Sequence, residues 1–134
     1  MMVSSPLLSF KSNAFPVTEG EDAATNPGIF GKSLAEWLSK RLQERGFEAD
    51  PPFPEDWGWY VPLSKQDLLL ALGCASSPHR TDAWMVYAFT EVGFFRRIRR
   101  KGVAELAVRD LIGTVREVLS NEAAVTNIRS EDEG

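Results

Sequence analysis

The sequence has very few of the side chains that build metal centres, disulfides and nucleophilic active sites. Its 134 residues include one cysteine, Cys74, and one histidine, His79. A lone cysteine excludes a disulfide within the chain and gives no sign of an oxidising compartment. Because structural zinc sites are built mainly from Cys and His, we expect no structural metal, and we expect no cofactor. Cys74 is expected to act as a small core residue, and His79 to lie in a solvated turn.

Long apolar runs and an excess of positive charge are also missing. No segment approaches the run of about 20 apolar residues that spans a bilayer. The opening MMVSSPLLSF lacks the positive region and the apolar stretch of a signal peptide. The net charge of −4 argues against a general affinity for nucleic acid. We therefore expect a cytoplasmic protein that does not bind membranes.

The remaining composition is that of an ordinary globular domain, with 43% apolar and 25% charged residues. We expect a single domain over residues 1–134, with an N-terminal strap and loop over 1–30 and a frayed acidic tail over 130–134. Pro6 and Pro16 restrict the apolar segment between them to an edge strand or an irregular conformation.

The clearest helix pattern begins at Ser33. Ser33 and Glu36 have the spacing of a capping box, in which each side chain accepts a backbone N–H of the other residue. Apolar residues then recur at helical spacing until Gly46, which can adopt the left-handed conformation that ends a helix. The pattern predicts a helix from about Ser33 to Arg45.

Three strand patterns follow this helix. WGWYV alternates, so we expect Trp57 and Trp59 on one face of the strand and Tyr60 on the other. Gly58 between the tryptophans is typical of a bulge or of a close approach by another backbone. DLLLALGC is apolar on both faces and predicts a central strand. AWMVYAFT alternates again, which predicts Trp84 on one face and Tyr87 and Phe89 on the other. Three strands joined by short loops suggest an antiparallel meander.

A second helix is predicted over about 103–119, with Gly113 close to the sheet, and AAVTNIR predicts a further short strand. The expected fold class is α+β, with a mostly antiparallel sheet of four to five strands and both helices packed on one face. The predicted order is α-β-β-β-α-β, with an extra N-terminal strand as an alternative.

The motif GKS, at Gly31, Lys32 and Ser33, opens a helix as a phosphate-binding P-loop does. A P-loop also needs a buried strand before the turn and a glycine at the position that Asn26 occupies here. Neither is present in the sequence. The pattern therefore favours a helix cap over a nucleotide site.

The stretch EDWGWY carries the most concentrated set of candidate binding residues. Glu55 is expected on the face of the two tryptophans, where loss of water would prepare a carboxylate for acid/base chemistry or for recognition. The alternative is that the tryptophans pack under the first helix while both acids remain in water. The candidate ligand- or partner-binding residues are Glu55, Asp56, Trp57, Trp59 and Tyr60.

A basic run follows two phenylalanines near the end of the third strand pattern. Arginines beside aromatic rings can hold a single nucleic-acid strand or another anionic partner. The alternative is a solvated turn that leads into the second helix. The candidate anion-binding residues are Arg96, Arg97, Arg99, Arg100 and Lys101.

The segments GFE at 46–48 and PEDWGW at 54–59, followed by an apolar strand and a W-x-V strand, resemble a group of small uncharacterised bacterial proteins. The resemblance covers about residues 30–90. The E-x-x-G-W opening is also similar to that of some immunity proteins of bacterial toxin systems. The resemblance implies a bacterial, cytoplasmic, self-contained domain, and it implies no catalytic residue and no cofactor.

Three hypotheses of function remain open. We favour a non-enzymatic module that binds another protein or a small ligand through the EDWGW strand, because Trp, Tyr and Arg dominate binding hot spots. The second hypothesis is a small enzyme that uses Glu55 or Asp56 as acid/base. The third is binding of nucleic acid or another anion through Arg96 to Lys101, which the acidic composition disfavours. An exposed edge strand would also allow a homodimer.

Overall fold

The computed structural model describes residues 2–91 and 101–131, and only the backbone of Lys101. Within these residues the chain forms an α+β fold with two α-helices and one antiparallel sheet of eight strands. The strands are β1 (Met2–Ser4), β2 (Leu8–Ser12), β3 (Glu48–Ala49), β4 (Phe53–Glu55), β5 (Gly58–Lys65), β6 (Leu68–Ser76), β7 (Ala83–Glu91) and β8 (Val125–Ser130), and the helices are α1 (Lys32–Gln43) and α2 (Lys101–Ser120).

The sheet has the spatial order β3-β5-β6-β7-β2-β8, with β4 paired to β5 and β1 paired to β7. The α+β class and the two helices agree with the sequence-based prediction, but the predicted count of four to five strands is too low. The difference comes from three short strands, β1, β3 and β4, of two or three residues each. For example, β3 and β4 contribute two and three residues, and both pair with β5.

The N-terminal segment forms an internal strand of the sheet, whereas we expected an edge strand or an irregular segment. The strand β2 lies between β7 and β8, so the prediction of an edge strand or an irregular strap is wrong. Pro6 falls between β1 and β2, and Pro16 falls after β2. Neither proline therefore has to supply an N–H to the ladder, which is the physical limit on proline in a sheet.

Both helices pack on one face of the sheet and close a single core. Their buried side chains join those of the central strands in one apolar cluster, and an ion pair of 3.0 Å between Arg45 and Glu117 links the end of α1 to α2. Neither described helix has the length and apolar character needed to cross a membrane. Fully buried members of the core include Leu34, Leu38, Leu42, Leu72, Trp84, Leu111 and Val115.

The start of α1 differs from the predicted capping box. The helix begins at Lys32, with Gly31 at the N-cap position, so Ser33 lies inside the first turn. The backbone N–H groups of Gly31 and Lys32 instead donate to Oε2 of Glu21, at 2.8 and 3.1 Å. A carboxylate from ten residues earlier thus satisfies the free donors of the helix, and its charge favours the positive end of the helix dipole.

The end of α1 and the middle of α2 test two predicted roles of glycine. Gly46 has a φ of 94°, and the N–H of Phe47 donates to the carbonyl of Leu42 at 3.1 Å, so the predicted left-handed stop is confirmed. Gly113 is exposed on α2, and a Cβ built there would meet no atom within 4 Å. The predicted close approach of Gly113 to the sheet is therefore wrong.

Candidate functional site

The candidate site is built around the hairpin that joins β4 to β5. Glu55 pairs with Gly58, and Asp56 and Trp57 form the turn between them. Gly58 has a φ of 151°, and a Cβ at this position would lie 2.5 Å from the carbonyl oxygen of Cys74 on β6. The expected close approach of a neighbouring backbone at Gly58 is therefore confirmed.

The two tryptophans of the hairpin lie on opposite faces of the sheet. Trp59 is 6% exposed and belongs to the core beneath the helices. Trp57 is 37% exposed and contacts Tyr87 and Phe89 on the face that the helices do not cover. The prediction that Trp57 and Trp59 share a face is wrong, because Trp57 belongs to the turn and strand alternation does not govern its direction.

Five aromatic side chains form a continuous cluster on the sheet face away from the helices, and we call it the aromatic face. Ring centroids are 4.7 Å apart for the stacked pair of Phe53 and Tyr60, 5.3 Å for Tyr60 and Phe89, and 5.3 Å for Phe89 and Tyr87. Trp57 completes the cluster at 5.8 Å from Tyr87. These separations fall in the range in which aromatic pairs stabilise one another.

Register explains why these rings meet. Phe53 lies opposite Tyr60, and Tyr60 lies opposite Gly73, which in turn lies opposite Tyr87. Because Gly73 has no side chain, the sheet face above it is open to the rings of Trp57 and Tyr87. A Cβ at this position would approach Cζ3 of Trp57 to 2.9 Å and would overlap the Tyr87 ring. The rings of Trp57 and Tyr87 therefore pack directly on the backbone of Gly73.

A groove runs beside the aromatic face and has a volume of about 440 Å³. Its walls come from five strands, β1, β3, β5, β6 and β7. Tyr60 and Phe89 provide its aromatic side, and Leu69, which is 38% exposed, adds apolar surface. Among the described lining residues the ionisable side chains are three acids and Tyr60, and none is Lys, Arg or His. The acids are Glu48, Asp50 and Glu91.

The two acids predicted as binding or catalytic groups lie at the end of the hairpin. Glu55 and Asp56 are both exposed, and neither contributes to the groove lining. Burial raises the pKa of Tyr60, and the negative charge of Glu55 raises it further. Burial likewise raises the pKa of Tyr87, with further increases from Cys74 and Tyr60. Both phenols are therefore neutral hydrogen-bonding groups near neutral pH.

The remaining chemically reactive side chains do not assemble into a catalytic set within the described residues. Cys74 is completely buried, which raises the pKa of its thiol and leaves it inert. The Ser76 hydroxyl accepts the N–H of Phe30 at 3.0 Å, and the ring of the exposed His79 lies against Gly28. No group of three or more His, Cys, Asp or Glu in residues 2–91 and 101–131 could hold a metal ion.

The structure describes the GKS motif but not the side chains of the basic run. Arg96, Arg97, Arg99 and Arg100 lie outside the described residues, as does the side chain of Lys101, so their role in anion binding stays a prediction. At the GKS motif, the Glu21 carboxylate occupies the N–H groups of Gly31 and Lys32 that a phosphate would need. This arrangement agrees with the preference for a capped helix over a nucleotide site, although the cap is Glu21 and not Ser33.

The sequence predicted two of the five rings as site residues, Trp57 and Tyr60, but it did not indicate Phe53, Tyr87 or Phe89. The signal for Tyr87 and Phe89 was present in AWMVYAFT. Its alternation places these two residues on the face of the strand opposite to that of the core residue Trp84. The chain matches no protein-family model, no curated protein and no solved structure.

Proposed function

We propose that this chain is a non-enzymatic binding module, and that it contacts another protein or a small ligand through the aromatic face. The observation that carries the proposal is the set of five touching rings on the sheet face that no described helix covers. Phe53 and Trp57 are 40% and 37% exposed. Large apolar groups clustered at the surface are typical of binding sites, and Trp and Tyr are common among hot-spot residues.

The alternation along the strands strengthens this proposal. A sheet with one solvated face normally places polar side chains on that face. Here β6 and β7 instead place Leu69, Ala71, Tyr87 and Phe89 there. Ala71 lies opposite Pro62 of β5 and Phe89 of β7, whereas Leu69 lies opposite Ser64. A partner that covers this surface would remove the exposed apolar area from water.

The geometry gives no comparable support to an acid/base enzyme. Glu55 and Asp56 are exposed and do not line the groove, so neither faces a cleft that could hold a substrate against it. The proposal includes a cytoplasmic location, as the single cysteine suggests. It involves no cofactor.

The test compares two tryptophan variants in capture experiments from the native host. Trp57→Ala removes a ring of the aromatic face, whereas Trp37→Ala removes a partly buried ring on α1, which contacts Phe15 at 5.4 Å on the opposite side of the sheet. We expect Trp57→Ala to lose partners that wild type and Trp37→Ala retain. Equal recovery of the same partners by all three proteins would contradict the proposal.

A second copy of the chain is one occupant that this test must separate from a foreign partner. Sedimentation of the purified protein over a range of concentrations measures self-association directly. If Trp57→Ala converts a dimer to a monomer, the aromatic face is a homodimer interface. If wild type and Trp57→Ala are both monomers, a captured partner is a different molecule.

A further inference from the structure

The described residues that line the groove beside the aromatic face carry charges of one sign. Its three carboxylates come from Glu48, Asp50 and Glu91, and no described cation lines it. The described cations on the same face of the sheet, Lys11 and Arg129, lie on β2 and β8, which are the two strands farthest from β3. Among the described residues, Glu48 and Asp50 thus make the β3 side of the groove negatively charged, and this favours a positively charged occupant there.

Pairing with β5 fixes the backbone positions of Glu48 and Asp50, the two acids on the β3 side of the groove. Glu48 lies opposite Ser64, whose hydroxyl donates to Oε2 of Glu48 at 3.4 Å. The N–H of Asp50 donates to the carbonyl of Pro62 at 3.2 Å, which fixes the next outward-facing position. Both side chains are exposed, so their oxygens can accept hydrogen bonds from an incoming ligand.

The opposite side of the groove is aromatic and aliphatic. Tyr60 stacks on Phe53 at 4.7 Å and meets Phe89 edge to face at 5.3 Å, so its ring is held in place. Leu69 and Pro62 add apolar surface between the rings and the acids. A suitable occupant therefore combines a flat cationic group with an apolar stem.

Arginine has this combination of properties. Its guanidinium group is planar, is more weakly hydrated than an ammonium group, stacks on aromatic rings and donates paired hydrogen bonds to carboxylates. Its methylene stem packs on apolar surface. A cleft of about 440 Å³ is also large enough to hold more than one side chain.

We propose that the groove binds an arginine side chain of a partner peptide, with the guanidinium between the Tyr60 ring and the carboxylates of Glu48 and Asp50. This inference rests on the proposed function, because it specifies the chemistry of the partner at the same face. The rest of the peptide lies over Trp57, Tyr87 and Phe89.

The test measures fluorescence anisotropy of labelled short peptides with the full chain. One peptide is an oligo-arginine, and the other is the matching oligo-citrulline, in which a neutral urea group of similar shape replaces each guanidinium. We expect the oligo-arginine to bind at least about tenfold more tightly, because citrulline cannot form the ion pairs.

Matched charge variants separate the groove from the general negative charge of the protein. The double variant Glu48→Gln/Asp50→Asn removes two carboxylates of the groove, and Glu36→Gln/Asp110→Asn removes two exposed carboxylates of the helices. We expect the first to weaken oligo-arginine binding about tenfold and the second to change it less than about twofold. Tyr60→Leu, which keeps an apolar side chain without a ring, should weaken binding about threefold to fivefold.

The possible results distinguish this inference from the proposed function. Equal weakening by the two double variants would show nonspecific attraction and overturn the arginine site. The same conclusion follows if citrulline and arginine peptides bind equally, or if neither binds. In each of those cases a Trp57-dependent partner in the capture experiment would leave the binding module intact. Loss of that dependence would refute the binding module itself.

Discussion

The two tryptophans of the β4–β5 hairpin provide a sharp test of which sheet face is the core. Trp57 and Trp59 are two residues apart, yet their exposed fractions are 37% and 6%. Truncation of each to alanine removes the same atoms from the same hairpin. A difference in the free energy of unfolding between the two variants therefore reports the environment of each ring and not the chemistry of the substitution.

The expected magnitudes follow from the packing around each ring. Trp59→Ala leaves a cavity beneath α1 and should cost about 3–5 kcal/mol, as other aromatic truncations in cores do. Its Nε1 has no hydrogen-bond partner within the described residues, so the loss is one of packing. Trp57→Ala opens to solvent and leaves no closed cavity. The lost contacts with Tyr87 and Phe89 should cost about 1–2 kcal/mol.

Urea denaturation followed by far-ultraviolet circular dichroism measures both values, because this signal does not depend on tryptophan fluorescence. We expect the midpoint to fall much further for Trp59→Ala than for Trp57→Ala, with similar slopes. Equal losses, or a larger loss for Trp57→Ala, would refute the assignment of Trp57 to a surface face. In that event the aromatic face would be a second core, and the binding proposal would lose its main support.

Three further predictions concern the helices and the tyrosines. Gly113→Ala should raise the free energy of unfolding in urea by about 1 kcal/mol, because the site is an open helix surface; a decrease would show a close contact there. In the same assay Glu21→Ala should lower the free energy of unfolding by about 1–2 kcal/mol, because the α1 cap is lost. Ser33→Ala should change it by less than about 0.5 kcal/mol. Similar losses in the two variants would favour Ser33 as the cap of α1. Because the folded state raises the pKa of Tyr60 and Tyr87, stability should fall as the pH rises above about 10, where the unfolded phenols ionise first. The Tyr60→Phe/Tyr87→Phe variant should show a smaller fall in alkaline urea titrations, and an unchanged pH dependence would contradict the burial of these phenols.

The parts of the fold with long regular patterns were predictable from the sequence. The apolar periodicity of α1 and α2 and the alternation of β7 depend on side chains that are close in sequence, so a local pattern carries the information. The alternation of AWMVYAFT correctly placed Trp84 on one face and Tyr87 on the other. The short strands β3 and β4 have too few residues to show any period, and they form because β5 offers them an unpaired edge.

Two misassigned features depend on contacts between distant or turn residues. The cap of α1 comes from Glu21, and nothing in the residues next to the helix reports a carboxylate ten positions away. Trp57 has the alternation of a strand residue but lies in a turn, where its direction follows from the space above Gly73. Both outcomes are set by tertiary packing, which local pattern does not encode.

Gly73 is a feature of the aromatic face that scattered exposed apolar residues would not need. A glycine inside a strand costs roughly 0.5–1 kcal/mol relative to alanine. On β6, Gly73 carries this cost where a Cβ would collide with the Tyr87 ring and crowd Trp57. The space it provides lies on the side of the sheet away from α1 and α2, so it contributes nothing to packing under the helices. The strand thus gives up some local stability to accommodate two rings on an open face, a cost that the proposed binding role would explain.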